Sequence, residues 1–242
     1  MPKVKLTEYT CQYAPDDLQA ARLLVFTKNT RMNLEGSYDK VNLMTRSEIL
    51  TEIDYMSRTI PSSWEFLDLT FVISQISRAT AQQITRTRVG SYAMQSQRVT
   101  DMSEVTYDKR TPEYNSFMDT AINNYAAMLL AGMPLEDARE LLPIGVHCSL
   151  VAKYNLRTLV ELCLKRDSLR VQGPYREIVK QMREQVLTVW PWARPFFVPQ
   201  QKKAIDLLEE ASVEMRKLEK LDGALYQGVS GKLAKVADLL KV

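Results

Sequence analysis

The side chains best suited to chemistry cluster around three arginines, Arg86, Arg88 and Arg98, with Ser96 and Gln97 directly before the last. A guanidinium keeps its charge at any pH of interest, and its planar fork matches a phosphate with two parallel hydrogen bonds. Arginines near a helix end are more often solvated or ion-paired, because they also interact with the helix's own carbonyls. Taken alone, the cluster therefore favours a solvated or ion-paired surface, with an anion site as the alternative.

The spacing of Arg86 and Arg88 bears on how many ligands they could hold. If both lie on a helix, two side chains that are two residues apart point about 200° from each other. They would then face two different ligands, or one ligand and the core, and Arg98 could close on either from the following loop. This spacing predicts an enzyme that holds two anionic molecules against each other.

A second group of polar side chains lies further along the chain, at Arg139, Asn155, Arg157 and Arg166. Arg157 opens a predicted helix and Arg166 ends it, so about 13 Å along the helix axis separates them and they need not share a ligand. The chain has 8 glycines and neither the G-x-x-x-x-G-K-[ST] nor the G-x-G-x-x-G pattern. Side chains, rather than a glycine-rich loop, would therefore hold a nucleotide.

The remaining inventory excludes several classes of enzyme. His147 is the single histidine, so a Ser-His-Asp hydrolase or a zinc enzyme with several histidine ligands would have to be built around it. In a strand Cys148 would point to the opposite face from His147, which favours a buried structural cysteine over a nucleophile. Three widely spaced cysteines indicate neither a disulfide framework nor a zinc cluster, and no metal site is predicted.

The whole-chain composition is that of an ordinary globular protein, with 242 residues, of which 45% are hydrophobic and 25% charged. A net charge of +3 does not favour nucleic-acid binding by bulk charge. No apolar run approaches the roughly 20 residues of a membrane span, and the N-terminus lacks an apolar signal segment. We therefore expect a cytoplasmic protein that binds neither nucleic acid nor membrane.

Hydrophobic periodicity and turn residues predict the elements that must position these side chains. Strands are predicted at 4–10, 64–73 and 146–154, and helices at 47–56, 77–88, 113–131, 156–166 and 175–189, with shorter helices beginning at Pro15 and Pro134. The segments 28–45 and 89–101 are predicted to be polar loops. The helix over 113–131 is expected to bury one stripe of apolar side chains, namely Phe117, Ala121, Tyr125, Met128 and Leu129.

The chain changes character near its C-terminus. Pro191, Pro195 and Pro199 exclude a regular helix there, so we predict one domain over 1–199 and a helical extension over 200–242. A helix over 204–221 is expected to pack on the core or on a neighbouring subunit through one apolar stripe, made of Leu208, Ala211, Met215 and Leu218.

The segment from Arg86 to Arg98, RTRVGSYAMQSQR, resembles the signature of the flavin-dependent thymidylate synthases (ThyX). That signature is Arg-His-Arg, then seven residues, then Ser, and Ser96 stands at the required interval. Ser62-x-x-Glu65 resembles the family's flavin-loop pattern. Further segments match the family in order and spacing, namely 76–79 with Gln83, 138–143, 155–159 and Arg166.

The resemblance implies an α/β (α+β) fold of the ThyX type, in which helices flank a twisted, mainly antiparallel sheet. It also implies a homotetramer whose active sites lie at subunit interfaces and bind FAD, a pyrimidine nucleoside monophosphate and a folate. By the same resemblance, FAD would contact Ser62, Glu65, Arg86, Thr87, Arg88, Asn155 and Arg157. The nucleotide would contact Gln83, Arg86, Ser96, Gln97, Arg98, Arg139 and Arg166, and the catalytic set would be Arg86, Ser96 and Arg166.

The chemistry implied by the resemblance is C5-methylation of a uridylate, dUMP or UMP. In this family a reduced flavin, rather than a protein cysteine, activates the pyrimidine, methylenetetrahydrofolate donates the methylene group and NADPH supplies electrons. The protein's own tasks are then binding, orientation and electrostatics. A chain with a single histidine can perform them.

The chain departs from the family pattern at several positions. Thr87 replaces the central His of the signature, and Phe66 and Ile60 stand where the family carries histidines near the flavin loop. Ala93 and Met94 replace polar residues between the two serines of the signature. Because these changes remove hydrogen-bonding groups but keep the arginines, two alternatives are a pyrimidine nucleotide C5-hydroxymethylase or cytidylate-specific relative, and a non-catalytic flavin- or nucleotide-binding protein.

Overall fold

A four-stranded antiparallel sheet lies at the centre of the computed structural model, which describes residues 1–29, 36–166 and 173–198. Its strands are β1 (Lys3–Tyr9), β2 (Asp68–Ser77), β3 (Ser91–Met94) and β4 (His147–Asn155), in the order β1-β2-β4-β3. The predicted α/β architecture with a mainly antiparallel sheet is confirmed.

The α-helices among the described residues are α1 (Gln19–Lys28), α2 (Ser37–Asn42), α3 (Arg46–Thr59), α4 (Arg78–Ile84), α5 (Pro112–Leu130), α6 (Leu135–Ala138), α7 (Leu156–Arg166) and α8 (Gly173–Val189). Short 3-10 helices cover Pro61–Phe66, Arg139–Leu141 and Pro191–Phe197. The helices predicted at 47–56, 113–131, 156–166 and 175–189 and the strand predicted at 146–154 are confirmed.

One face of the sheet is buried and carries the core. Along β2 and β4 every second side chain is buried, as the alternation of an antiparallel strand requires; these side chains are Leu69, Phe71, Ile73, Cys148, Leu150, Ala152 and Tyr154. Helices α4 and α7 pack against β4, and α8 packs against β1 and β2.

Two helices begin directly where a strand ends, each with a side-chain cap on its first turn. The Ser77 hydroxyl accepts a hydrogen bond from the Thr80 amide (3.1 Å) at the start of α4, and the Asn155 side chain accepts one from the Thr158 amide (2.8 Å) at the start of α7. Because β2 and β4 are antiparallel, α4 and α7 begin at opposite ends of the sheet. The chain after α4 enters β3 beside the end of β4, where Ser91 pairs with Lys153.

The strand predicted over 64–73 is wrong at its start and too short at its end. Pro61 begins a 3-10 helix that includes Trp64, whose ring nitrogen donates to the Met56 carbonyl of α3 (3.2 Å). This tertiary contact outweighs the aromatic residues' preference for strands. Strand β2 therefore starts at Asp68 and continues to Ser77.

Two predicted loops contain regular structure. Helix α2 lies within 28–45 and follows Gly36, whose positive φ of 69° suits a glycine. Strand β3 lies within 89–101, where Tyr92 and Met94 point inward and their exposed neighbours point outward. An edge strand needs only one apolar face, so its polar composition concealed it. The helix predicted from Pro15 instead begins at Gln19, after a turn in which the Asp16 carboxylate accepts from the Leu18 amide.

Helix α5 has the predicted extent, but its buried face matches the predicted stripe only in part: Tyr125 is fully buried as predicted, and Leu129 packs against the same cluster. Met118, Ile122 and Tyr125 are buried, whereas Phe117 is 68% exposed and Met128 is 36% exposed. Met118 and Ile122 pack against Tyr107 and Val146. These two residues pair with each other in an isolated antiparallel β-bridge, and Val146 directly precedes β4. In the first half of the helix, the residues that contact the core are thus one position away from the predicted ones, whereas Tyr125 was predicted correctly.

The chain divides into two compact units, Met1–Pro195 and Phe196–Val242. The 3-10 helix Pro191–Phe197 agrees with the prediction that the prolines exclude an α-helix there. The predicted extension 200–242, its helix 204–221 and the stripe Leu208, Ala211, Met215 and Leu218 lie outside the described residues and stay predictions. Among the helices that the structure describes, none is long and apolar enough to cross a membrane.

Candidate active site

A cavity of about 290 Å³ lies between the turn that follows α4 and one face of α7. The turn contributes four consecutive residues, Arg86 to Val89. The helix contributes residues spaced by three and four, as one helix face requires; these are Thr158, Glu161, Leu162, Lys165 and Arg166. The predicted site residues Arg86, Thr87, Arg88 and Arg166 therefore come together in one place.

The charge of this cavity is strongly positive. Arg86, Arg88, Lys165 and Arg166 line it against a single carboxylate, Glu161. Over 1–29, 36–166 and 173–198, Arg86 and Arg88 are exposed and no acidic side chain forms an ion pair with either. Uncompensated guanidinium groups around a concave surface attract anionic ligands, because the field of like charges adds inside a cleft.

The expectation that Arg86 and Arg88 face apart is wrong, because it assumed that both lie on a helix. Helix α4 ends at Ile84, and the Thr87 amide donates to the Ile84 carbonyl (3.1 Å) in a turn that continues into β3. In this turn the 100° rotation per residue no longer applies, and both arginines line the same cavity.

Arg166 closes the cavity from the end of α7. Its guanidinium carbon lies 5.1 Å from the centre of the Tyr175 ring, a cation–π distance. Tyr175 is 2% exposed and comes from the first turn of α8. The ring orients the guanidinium and leaves its N–H groups available to a ligand.

The predicted flavin-loop residues meet the start of α7. Nη1 of Arg157 lies 2.7 Å from a Glu65 carboxylate oxygen, and Nε of Arg157 lies 3.2 Å from Glu161. Hydrogen bonds to Glu65 and Glu161 raise the pKa of Arg157. Ser62 is exposed on the same 3-10 helix as Glu65, and this helix packs against α7.

Glu161 connects this ion pair to the cavity. Its carboxylate contacts Arg157 on one side and Lys165 on the other (3.4 Å). Burial raises the pKa of Glu161, but the hydrogen bonds and positive charges of Arg157 and Lys165 lower it by more. Glu161 is therefore ionised near neutral pH and offsets part of the positive charge of the cavity.

The other predicted nucleotide contacts form a separate group beyond β3. Arg98 pairs with Glu136 (2.9 Å), and Nε of Arg139 donates to the backbone carbonyl of Glu136 (3.0 Å). The Ser96 hydroxyl accepts from the Arg98 amide (3.2 Å). Gln97 is 6% exposed, and its amide nitrogen has no hydrogen-bond partner among the described residues.

One chain does not bring the two groups together. The backbone is extended from Ser91, which pairs with Lys153, to Gln95, whose amide donates to Ser149. Four steps at roughly 3.3 Å each separate these ends by about 13 Å, with Arg88 before one end and Ser96 after the other. Gln83 lies half-buried on α4, before the turn.

Sequence reasoning missed the two other charged residues of the cavity, Glu161 and Lys165, and its uncharged lining residues Val89, Thr158 and Leu162. Glu161 and Lys165 stand three and seven residues after Thr158 on α7, the spacing of one helix face, and with Arg166 predicted as a site residue this spacing could have identified them. Tyr92, which holds the turn, was missed because β3 was taken for a loop.

His147 and Cys148 have structural roles. Nδ1 of His147 lies 2.9 Å from the Thr106 hydroxyl, and Nε2 lies 3.3 Å from Asp108. Cys148 is 3% exposed, and burial raises the pKa of its thiol, so the predicted buried cysteine is confirmed. Within the part of the chain that the structure describes, no group of three or more His, Cys, Asp or Glu side chains is placed to hold a metal ion.

The fold and the cavity together define an α/β protein with a concave, positively charged site built from side chains. The chain belongs to the family described as thymidylate synthase complementing protein, whose family model matches residues 5–192. The resemblance to the flavin-dependent thymidylate synthases, enzymes of the methyltransferase type, is thereby confirmed.

Two curated relatives are named flavin-dependent thymidylate synthases. The chain is 31% identical over 203 residues to a flavin-dependent thymidylate synthase of Saccharolobus solfataricus, covering 79% of this chain and 75% of that protein. It is 29% identical over 191 residues to one of Geobacter sulfurreducens, covering 74% and 82%.

Solved structures share the fold at lower identity. ThyX from Helicobacter pylori, crystallised with FAD and dUMP, aligns with a TM-score of 0.66 at 16% identity, covering 81% of this chain and 99% of that one. The UMP/dUMP methylase PolB from Streptomyces cacaoi, bound with 5-Br dUMP, aligns with a TM-score of 0.64 at 19% identity, covering 81% and 94%.

Proposed function

We propose that this protein catalyses the flavin-dependent C5-methylation of a uridylate, dUMP or UMP, with methylenetetrahydrofolate and NADPH as cosubstrates. The observation that carries the proposal is the shared cavity of Arg86, Arg88 and Arg166. Three signature or motif arginines converge there without acidic partners among the described residues, in a member of this enzyme family.

The donor set of the cavity fits a flavin nucleotide. Three guanidinium groups and an ammonium group match the charge of a diphosphate or a phosphomonoester. FAD, when bound, supplies the redox chemistry for the one-carbon transfer, with NADPH as the source of electrons. We assign its binding to the turn with Arg86, Thr87 and Arg88, and to the group of Ser62, Glu65, Asn155 and Arg157.

The chain's own residues bind and orient. Arg86 and Arg166 face each other across the cavity and would neutralise phosphate charge on ligands that must approach closely. The Glu65–Arg157–Glu161 chain of ion pairs holds the 3-10 helix Pro61–Phe66 against α7 and fixes the wall on that side. Both carboxylates leave further guanidinium N–H groups of Arg157 available for a ligand.

The complete site is proposed to lie between copies of the chain, in a cytoplasmic homotetramer. A cavity of about 290 Å³ is at the lower limit for a ligand site and holds only part of a dinucleotide. Ser96, Gln97, Arg98 and Arg139 lie beyond the other end of β3. A second copy would bring this group to the cavity and complete the contacts to the nucleotide.

Known neighbours support the range of substrates. The Helicobacter pylori structure contains FAD and dUMP, and the Streptomyces cacaoi protein is described as a methylase of both UMP and dUMP. The replacements Thr87, Phe66, Ile60, Ala93 and Met94 alter side chains around the signature and the flavin loop and leave the arginines in place. The proposal therefore includes the ribose and the deoxyribose substrate.

The test is turnover by the full-length protein. Purified protein loaded with FAD should be yellow, and with NADPH and methylenetetrahydrofolate it should release tritium from dUMP or UMP labelled at C5. Mass spectrometry of the product should show a methyl rather than a hydroxymethyl group. A protein that binds no added FAD, or releases no tritium from either nucleotide, would refute the proposal.

A further inference from the structure

The turn that carries Arg86 and Arg88 is fixed at the residue between them. The Thr87 amide donates to the Ile84 carbonyl (3.1 Å), and the Thr87 carbonyl accepts a hydrogen bond from the Tyr92 hydroxyl (2.7 Å). Both backbone polar groups of Thr87 are therefore occupied. The two flanking guanidinium groups project from a turn whose midpoint is held on both sides.

Tyr92 is well placed to hold this contact. Its ring packs edge-on against the Tyr154 ring, with 5.8 Å between centroids and 74° between planes. Tyr154 is 1% exposed, so the Tyr92 ring rests on an immobile part of the core. Burial raises the pKa of the Tyr92 hydroxyl, which keeps it protonated as a donor at neutral and mildly alkaline pH.

Gly90 makes the contact sterically possible. A Cβ atom at this position would lie 2.7 Å from the Tyr92 hydroxyl oxygen and 3.0 Å from Cε1 of Tyr154. Such distances are well inside van der Waals contact, so a side chain at residue 90 would push the Tyr92 ring away from Thr87. Glycine lets strand β3 begin close enough for its tyrosine to fold back under the turn.

We propose that Tyr92 is a positioning residue of the active site, whose hydroxyl holds the turn of Arg86 and Arg88 in the geometry that binds an anionic ligand. The ligand's identity rests on the proposed function, but the contact itself does not. Tyr92 is not among the residues that line the cavity; it acts through the Thr87 carbonyl.

The test compares two tyrosine-to-phenylalanine variants of the full-length chain. Tyr92→Phe removes only the hydroxyl that bonds Thr87. Tyr125→Phe is the matched control, because it also removes one buried tyrosine hydroxyl, which accepts a hydrogen bond from the Met102 amide (3.1 Å). Neither Tyr125 nor Met102 lines the cavity. A neutral hydrogen bond contributes about 1 kcal/mol, or roughly a fivefold change in an equilibrium.

Two readouts separate positioning from general stability. Amide hydrogen exchange of the ligand-free protein should become roughly fivefold faster at Thr87, whose amide bonds the Ile84 carbonyl, in Tyr92→Phe. FAD affinity should fall by about the same factor. Tyr125→Phe should change neither the exchange rate in the turn nor the FAD affinity, although we expect it to lower the melting temperature about as much as Tyr92→Phe does.

Exchange at the Thr87 amide that equals the wild type, or that rises equally in both variants, would overturn the inference. A wild-type protein that binds no FAD would refute the proposed function, while the exchange rates would still decide the role of Tyr92.

Discussion

At the scale of single residues, the proposed anion site rests on Arg86 and Arg88, exposed guanidinium groups that form no ion pair among the described residues. Arg86 is exposed and lines the cavity, whereas Arg46 is an exposed arginine paired with Asp17 (2.9 Å) outside it. Removing a charge that contacts a bound phosphate costs several kcal/mol, and removing an exposed ion pair costs about 0–1 kcal/mol.

We therefore expect Arg86→Ala to lower kcat/KM for the uridylate by roughly 100-fold or more, because its charge-assisted hydrogen bonds to ligand are lost. Arg46→Ala should leave kcat/KM within about twofold of the wild type. Steady-state tritium release measures both. Equal effects of the two substitutions would show that Arg86 has no special role.

A second prediction at this scale concerns pH and Glu161. Because the pKa of Glu161 is lowered in the folded chain from its ordinary value of 4.5, its ion pairs stabilise the protein above that value. The stabilisation is lost as pH falls through the lower, folded-state pKa. The difference in unfolding free energy between the wild type and Glu161→Gln should be constant above about pH 5.5 and shrink below pH 4.5.

Urea unfolding from pH 3 to pH 7 measures this difference. Glu104→Gln is a suitable control, since no ion pair involves Glu104 among residues 1–29, 36–166 and 173–198. A Glu161→Gln difference that grows as the pH falls would contradict the direction of the pKa shift.

At the scale of elements, most helices and the strands β1, β2 and β4 follow from local sequence, and the short edge strand β3 does not. Helix α7 has the predicted bounds because its apolar spacing is regular and Asn155 caps its first turn. Strand β3 has only two inward side chains, Tyr92 and Met94, which is too few to distinguish it from a loop. Its existence depends on pairing with β4, a contact that local sequence does not contain.

The same limit explains the corrected face of α5. Helix α5 carries apolar side chains on more than one face. Periodicity alone is therefore compatible with a buried stripe through Phe117 as well as with one through Met118. Only the contact of Met118 with Val146 decides between them.

Substitutions on α5 provide the matching test. Met118→Ala should destabilise the protein by about 2–5 kcal/mol because it leaves a cavity in the core. Phe117→Ala, on the exposed side, should change stability by no more than about 0.5 kcal/mol. Thermal or urea unfolding measures both, and a larger effect of Phe117→Ala would restore the stripe predicted from the sequence or place Phe117 in an interface.

At the scale of the whole molecule, the candidate site is divided. The signature motif predicted Arg86, Arg88, Ser96 and Arg98 as one set, yet β3 separates the first pair from the second. The residues that are close in sequence therefore form two separate groups within one chain. We propose that a second copy brings the two groups together, because closed symmetric assemblies place the same surface of each subunit against its neighbour.

Mixing two inactive variants tests the shared site. Arg86→Ala and Arg98→Ala should each be nearly inactive alone, since each removes one side of every site. When the two chains are co-expressed and assemble together, about one quarter of the sites should contain both wild-type arginines by random mixing. Tritium release should recover to a similar fraction of wild-type activity. Recovery no greater than the sum of the separate variants would place both arginines in the site of one chain.

The most direct test of the central claim is a crystal structure of the FAD-loaded protein soaked with dUMP, UMP and dCMP in turn. We expect FAD or nucleotide phosphate against Arg86, Arg88 and Arg166, ordered dUMP or UMP, and no ordered dCMP. Ligand density away from this cavity, or a cytidylate bound in preference to both uridylates, would contradict the proposed uridylate methylation.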